Sequence, residues 1–120
     1  MERHDGEYDL EERSFIFARD VRSFVKLLPK TEANKEDIPQ LIRASGSTSA
    51  NYLEANDALG KKDFQMRMKI ARKEAKESRL FLRLVDCGDR DIAEKERNRL
   101  VQEAMELKLI FSSIVQNSEE

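Results

Sequence analysis

The sequence predicts an all-α protein, an antiparallel up-down-up-down four-helix bundle. Apolar residues recur at alternating steps of three and four in four successive stretches, no stretch alternates with a period of two, and the strong helix breakers lie between the stretches. A chain of 120 residues accommodates one domain with one core. Short connections place consecutive helices antiparallel. The predicted bundle domain covers residues 10–116, with helices over about 10–28, 37–58, 61–87 and 91–116, between a flexible acidic tail (1–9) and a frayed end (117–120).

The first and second helices are separated by Pro29. Phe17, Val21 and Phe24 form one helical stripe that continues to Leu28. Because a proline disfavours helical backbone in the residue before it, the first helix should end at Leu28. The second helix is predicted to begin with Asp37 as its N-cap, which leaves a proline in the first turn, where its missing N–H is harmless.

The centre of the second helix, residues 44–51, is a run of small and hydroxyl residues. Such a run is typical of a flexible linker. Against that interpretation, Ile42, Ser45, Ser49 and Tyr52 keep the helical spacing through it. A continuous helix here tolerates about 1 kcal/mol for its glycine, so close packing within the bundle or between subunits should offset that loss. The residues expected to provide this packing are Ala44, Ser45, Gly46 and Ser49.

Glycines and acidic residues mark the ends of the third and fourth helices. Gly60 serves as the N-cap of the third helix, and Gly88 is the expected stop after it. Asp91 followed by Glu94 resembles the capping box that begins a helix.

The charges are unevenly distributed along the chain. Residues 1–20 carry three basic and seven acidic groups, whereas residues 61–83 carry nine basic and three acidic groups. Lysine or arginine recurs every seven residues along the third helix and therefore forms one ridge, with two arginines beside it. Such a ridge can contact phosphates. The predicted nucleic-acid-binding residues are Lys62, Lys69, Arg72, Lys76, Arg79 and Arg83.

An alternative is that the ridge is a solvated face paired with acidic neighbours. Glu74 and Glu77 lie on the same helix, and the fourth helix offers Glu94, Glu96, Glu103 and Glu106. The acidic pI of about 5.6 also differs from the basic pI typical of a nucleic-acid-binding domain.

Composition argues against an enzyme and against a metal or cofactor site. The chain has a single histidine, His4, whereas di-metal bundle sites need two Glu-x-x-His motifs, and a serine without a base is a poor nucleophile. No stretch is apolar enough for a membrane span or a secretory signal. The lone Cys87 fits a reducing compartment, so we expect a cytoplasmic protein. No residue pattern indicates a small-molecule substrate. Hydrolytic or redox catalysis is a third, weaker hypothesis.

Apolar residues exceed what one bundle core requires. Phe15, Phe81 and Ile110 belong to apolar clusters wider than one stripe. The excess predicts a second buried face and hence self-association. The alternative is a thicker core in a monomer.

Five segments resemble the bacterial four-helix-bundle family also called the 23S ribosomal RNA intervening-sequence proteins. They are residues 24–30 (FVKLLPK), 40–55 (QLIRASGSTSANYLEA), 61–64 (KKDF), 69–78 (KIARKEAKES) and 107–114 (LKLIFSSI). The resemblance implies a homo-oligomer, commonly a ring of five bundles, and it brings no catalytic residues. Some members are encoded inside ribosomal RNA genes, and distant relatives are accessory proteins of diversity-generating retroelements that bind a reverse transcriptase and nucleic acid.

Two hypotheses of function follow. The first is a non-catalytic cytoplasmic homo-oligomeric scaffold, probed by its mass in solution. The alternative is a nucleic-acid-binding accessory protein that acts through the basic ridge of the third helix.

Overall fold

The chain forms four α-helices and, within residues 6–119, no strand. The computed structural model describes the backbone of residues 6–119 and the side chains of residues 10–119. The helices are α1 (Gly6–Val25), α2 (Glu32–Asn56), α3 (Lys61–Leu84) and α4 (Asp91–Ser118). This confirms the all-α class and the four helices. Residues 1–5 and 120 of the predicted tails lie outside the described part.

The backbone of each helix lies beside those of two others. α1 is adjacent to α2 and α4, and α3 is adjacent to α2 and α4. The carboxylate of Glu11 near the start of α1 accepts a hydrogen bond from Asn56 at the end of α2 (2.8 Å). Gln65 in the first turns of α3 donates to the carbonyl of Ser118 at the end of α4 (3.0 Å). The packing is that of a four-helix bundle.

The core lies along the apolar stripes of the sequence. Tyr52 of α2 and Phe111 of α4 stack at its centre, with ring centroids 5.6 Å apart and planes inclined by 22°. Both side chains are almost completely buried. Fully enclosed residues of the other stripes include Phe17, Val21, Phe24, Met68, Ala71, Ala75, Leu82, Leu100, Ala104 and Leu107.

α1 begins at Gly6, four residues before its predicted start, and ends at Val25 instead of Leu28. At its carboxyl end the N–H groups of Lys26, Leu27 and Leu28 donate to carbonyls three residues back, at 2.9–3.2 Å. The helix therefore tightens into a final turn before Pro29.

α2 begins at Glu32, five residues before the predicted start, and this corrects the prediction that Asp37 is the N-cap. The N-cap is Thr31, whose side chain accepts a hydrogen bond from the N–H of Asn34 (3.1 Å). Pro39 lies inside the helix, beyond its first turn. The carbonyl of Lys35 therefore lacks the usual donor four residues on.

Asn34 links the two connections at this end of the bundle. Its amide nitrogen donates to the carbonyls of Pro29 and Asp86, both at 2.9 Å. Its amide oxygen accepts from the N–H of Asp86 at 2.8 Å. The α1–α2 and α3–α4 connections are therefore held together by one side chain that is only 1% exposed. This interaction also explains why α2 begins early.

The α3–α4 connection differs from prediction at both ends. α3 ends at Leu84, and α4 has Arg90 as its N-cap without a side-chain hydrogen bond, so the predicted capping box does not form. Glu94 instead accepts a hydrogen bond from Arg97 at 2.6 Å.

Gly88 has a φ of 68°, and a Cβ placed there would lie 3.0 Å from the Pro29 ring, so both backbone conformation and space require glycine. α4 continues to Ser118, two residues beyond the predicted end.

The serine-rich centre of α2 is helical, which confirms the continuous helix over the flexible linker. Its hydroxyl groups bond locally: Ser45 donates to the carbonyl of Ile42 and Thr48 to that of Ala44. Ala44, Ser45 and Ser49 are buried inside the bundle.

Gly46 lies against the side chain of Arg22 within the bundle. A Cβ at Gly46 would lie 3.1 Å from Nη2 of Arg22. The Arg22 guanidinium crosses α2 there and donates to the Ile42 carbonyl at 3.4 Å and to the Ser45 hydroxyl at 3.5 Å.

Gly46→Ala is expected to raise the free energy of unfolding by about 0.5–1 kcal/mol, because alanine has the higher helix propensity and the exposed Arg22 side chain can shift. Urea denaturation followed by circular dichroism measures the change. In an Arg22→Ala background the gain should be equal or larger. A loss of stability in both backgrounds would mean that something other than Arg22 restricts this site.

Candidate nucleic-acid interface

The carboxylates of Glu74 and Glu77 in α3 face α2, away from the basic ridge. Glu77 pairs with Arg43 of α2 at 3.3 Å, and Glu74 lies 3.6 Å from the same guanidinium. Oε1 of Glu74 is buried and has no hydrogen-bond partner in the described part of the chain. Neither carboxylate therefore neutralises the ridge.

The carboxylates of α4 also find other partners. Arg13 of α1 donates to Glu103 at 2.7 Å and to Glu106 at 2.6 Å, and the hydrogen bond with Glu103 is the main cause of the raised pKa of Arg13. Glu96 pairs with Arg99 within α4 at 2.6 Å. These acidic groups pair with arginines of α1 or of α4 itself. Among the described residues they do not pair with the basic ridge of α3, as the solvated-face alternative requires.

A basic groove results between α3 and α4. It has a volume of about 430 Å³ and, among the described residues, no acidic side chain in its lining. Among the groove residues, only Lys69 forms an ion pair within residues 10–119. Its partner is Glu119 at 3.3 Å, and both side chains are about half exposed. We call this feature the basic groove; it is lined by Lys69, Arg72, Lys73, Lys76, Lys108 and Ser112.

The structure brings together three of the six residues predicted to contact nucleic acid, namely Lys69, Arg72 and Lys76. Of the other three, Lys62 lies on a neighbouring surface of α3 with Met66. Arg79 is half-buried, and its Nε has no hydrogen-bond partner among the described residues. Arg83 is exposed in the last turn of α3.

Sequence reasoning missed three groove residues, Ser112 and the two basic residues Lys73 and Lys108. Lys73 is one position beyond Arg72 and was outside the seven-residue spacing. Lys108 belongs to α4, and only the packing of that helix against α3 brings it beside the ridge. Its apolar neighbours in the sequence gave no signal of a binding surface.

Comparison with known proteins agrees with this architecture. A family model described as 23S rRNA-intervening sequence protein matches residues 7–113. The chain belongs to this family. A solved structure of a protein with unknown function from the S23 ribosomal protein family of Bacteroides thetaiotaomicron is similar, with a TM-score of 0.77 and 25% sequence identity. The match covers 92% of this chain and 97% of that one. No curated protein matches the chain.

Most residues expected in close packing or at a subunit interface are buried or half-buried in this family member. Phe81 and Ile110 are half-buried and pack against the core. Gly46 lies beneath Arg22, and its buried neighbours in α2 contribute to the interior. Phe15 is 52% exposed and is the member of the predicted set that remains available to another molecule.

Cys87, Ser14 and Ser78 are buried in this family member. Cys87 is buried, and this burial raises the pKa of its thiol, which keeps the thiol protonated. The Ser78 hydroxyl donates to the carbonyl of Glu74, and Ser14 donates to Ser49. No three potential metal ligands cluster within the described residues, which do not include His4. No helix in the described part is long and apolar enough to cross a membrane.

Proposed function

We propose that the protein is a non-catalytic cytoplasmic scaffold, a ring-shaped homo-oligomer of antiparallel up-down-up-down bundles, and that it presents the basic groove to the phosphate backbone of a nucleic acid. The observation that carries this proposal is the charge of the groove. Its basic side chains face solvent while the neighbouring carboxylates of α3 and α4 are paired elsewhere. The family context of 23S rRNA intervening sequences supports nucleic acid as the polyanion.

The chemistry of the groove fits a backbone and gives no sign of base readout. Lysine and arginine bind phosphate oxygens and release the counterions of the nucleic acid, so affinity falls steeply with salt. Arg72 can bind a phosphate with two donors, whereas Lys76 and Lys108 act as point charges. Arrangement of several copies around a ring multiplies a weak single groove. An enzyme of nucleic-acid metabolism is a further candidate partner of the same surface.

Reversing three groove charges, with Arg72→Glu, Lys76→Glu and Lys108→Glu, is expected to weaken binding of fluorescent single-stranded or duplex RNA at least about tenfold at low salt. The slope of log affinity against log salt should become shallower by about 0.9 for each phosphate that the variant no longer neutralises in a duplex, and by about 0.7 for each in a single strand. Fluorescence anisotropy measures both quantities.

The matched control reverses three exposed lysines at the α1–α2 connection, Lys26, Lys30 and Lys35, and changes the net charge by the same amount. It should leave most of the affinity intact. Equal losses in the two triple variants would assign binding to net charge and contradict the groove.

The assembly is supported by exposed apolar side chains. Among the described residues, eight large apolar side chains are exposed, including Phe15, Leu53, Leu80 and Leu84. Native mass spectrometry at micromolar concentration is expected to give one closed oligomer, five copies in the family's common form. A monomer throughout that range would contradict the scaffold proposal.

A further inference from the structure

α3 has a second apolar face that no other helix of the bundle covers. Met66 is 48% exposed, Leu80 47% and Leu84 52%, and Ile70 is half-buried beside Met66. With 3.6 residues per turn these positions lie about 70° around α3 from the centre of the basic groove and roughly opposite its core stripe. We call this surface the α3 outer face; it consists of Met66, Ile70, Leu80 and Leu84, with Lys62 and Lys73 at its edge.

A second exposed apolar surface lies across α1 and α2, where Phe15 is 52% exposed and Leu53 45%. Two contacts hold the helices together here: Ser14 donates to Ser49 at 3.1 Å, and Asn56 donates to Glu11 at 2.8 Å. Phe15 follows Ser14 along α1, and Leu53 lies between Ser49 and Asn56 along α2. Both exposed side chains therefore lie near the contact between these two helices. We call it the α1–α2 face; the exposed carboxylates nearest to it are Glu11, Glu12 and Glu54. Arg19, one turn along α1, pairs with Asp20, and Arg22, two turns along, lies across α2 at Gly46.

The two faces carry opposite charges around similar apolar centres. Lys62 and Lys73 border Met66 and Ile70, whereas carboxylates border Phe15 and Leu53. If either face met its own copy across a two-fold axis, like charges would be brought together. Contact between the two different faces joins opposite charges and covers apolar surface on both sides.

We propose that the α1–α2 face of one protomer docks on the α3 outer face of a second copy of this chain. This inference rests on the proposed homo-oligomer and specifies its interface. Phe15 and Leu53 pack on Met66 and Ile70, and Glu11, Glu12 and Glu54 lie opposite Lys62 and Lys73. Such a contact is heterologous, so repetition around a rotation axis closes a ring. Lys73 belongs to both surfaces, whereas Arg72, Lys76 and Lys108 of the basic groove stay outside the contact.

Two complementary variants test this arrangement. Phe15→Lys disrupts the α1–α2 face and leaves the α3 outer face intact, whereas Met66→Asp does the reverse. We expect each variant alone to be a monomer at a concentration where the wild type is assembled. An equimolar mixture should give a 1:1 heterodimer by native mass spectrometry, because the mixture restores one complete contact.

Leu109→Lys is the control, since Leu109 is 54% exposed on α4, away from both faces, and this variant should keep the wild-type mass. Circular dichroism verifies that the variants are folded. A monomeric wild type would overturn the scaffold proposal together with this interface. If the wild type is assembled and both variants keep its mass, the scaffold stands and the interface is overturned. Two monomeric variants that do not combine would overturn the heterologous pairing.

Discussion

Leu107→Ala is expected to lower the free energy of unfolding by about 2–5 kcal/mol. Leu107 is completely buried in the α4 stripe, one turn before Phe111. Truncation removes buried methyl groups and leaves a cavity that neighbouring helices can fill only in part. Urea denaturation monitored by circular dichroism at 222 nm, a wavelength that reports helix content, gives the value directly.

Leu109→Ala is the matched control, because the same change is made two residues away on a side chain that is 54% exposed. Its effect should stay within about 0.5 kcal/mol. Similar losses at the two positions would contradict the orientation of α4 against the core. Both variants should be compared at one protein concentration, because assembly adds to apparent stability.

Asn34→Ala is expected to destabilise the protein by about 2–4 kcal/mol, since it removes three hydrogen bonds made by a side chain that is 1% exposed. Asn34→Asp should be at least as damaging, because a carboxylate oxygen would face the carbonyls of Pro29 and Asp86 without a proton to donate. Amide hydrogen exchange provides a local readout: the N–H of Asp86 should lose its protection in Asn34→Ala, because that variant removes the oxygen that accepts from it.

Asn56→Ala is the comparison, since it removes the exposed hydrogen bond to Glu11. A loss below about 1 kcal/mol is expected there. If Asn34→Ala were equally mild, water would be replacing the side chain, and the two connections would be held by other contacts.

The sequence predicted the helices well because their cores depend on local spacing. Phe17, Met68 and Leu100 lie where the alternation of three and four places them, and all are buried. Helix starts were predicted less well. Thr31 and Asp37 are both good N-caps, and the choice depends on Asn34, whose partner Asp86 is 52 residues away. No local pattern contains that contact.

The candidate site was predicted in part for the same reason. The spacing of Lys69 and Lys76 identified one surface of α3, whereas the contribution of Lys108 depends on how α4 packs. The sequence also offered Glu103 and Glu106 as partners for the ridge. They pair with Arg13 because α4 turns that side toward α1. The acidic residues available in the sequence therefore did not predict which basic residues are neutralised on the surface of the folded protein.

The pairing of Arg13 with Glu103 and Glu106 has a consequence for the speed of binding. It holds α4 carboxylates on the α1 side of the molecule and leaves positive charge on the α3 side, so the charges of a chain with a net charge of −2 are unevenly distributed over its surface. A distant polyanion exerts a torque on such a molecule and turns the basic groove toward itself before contact. Association should therefore be rapid at low ionic strength despite the negative net charge, and added salt should slow it as the Debye length shortens.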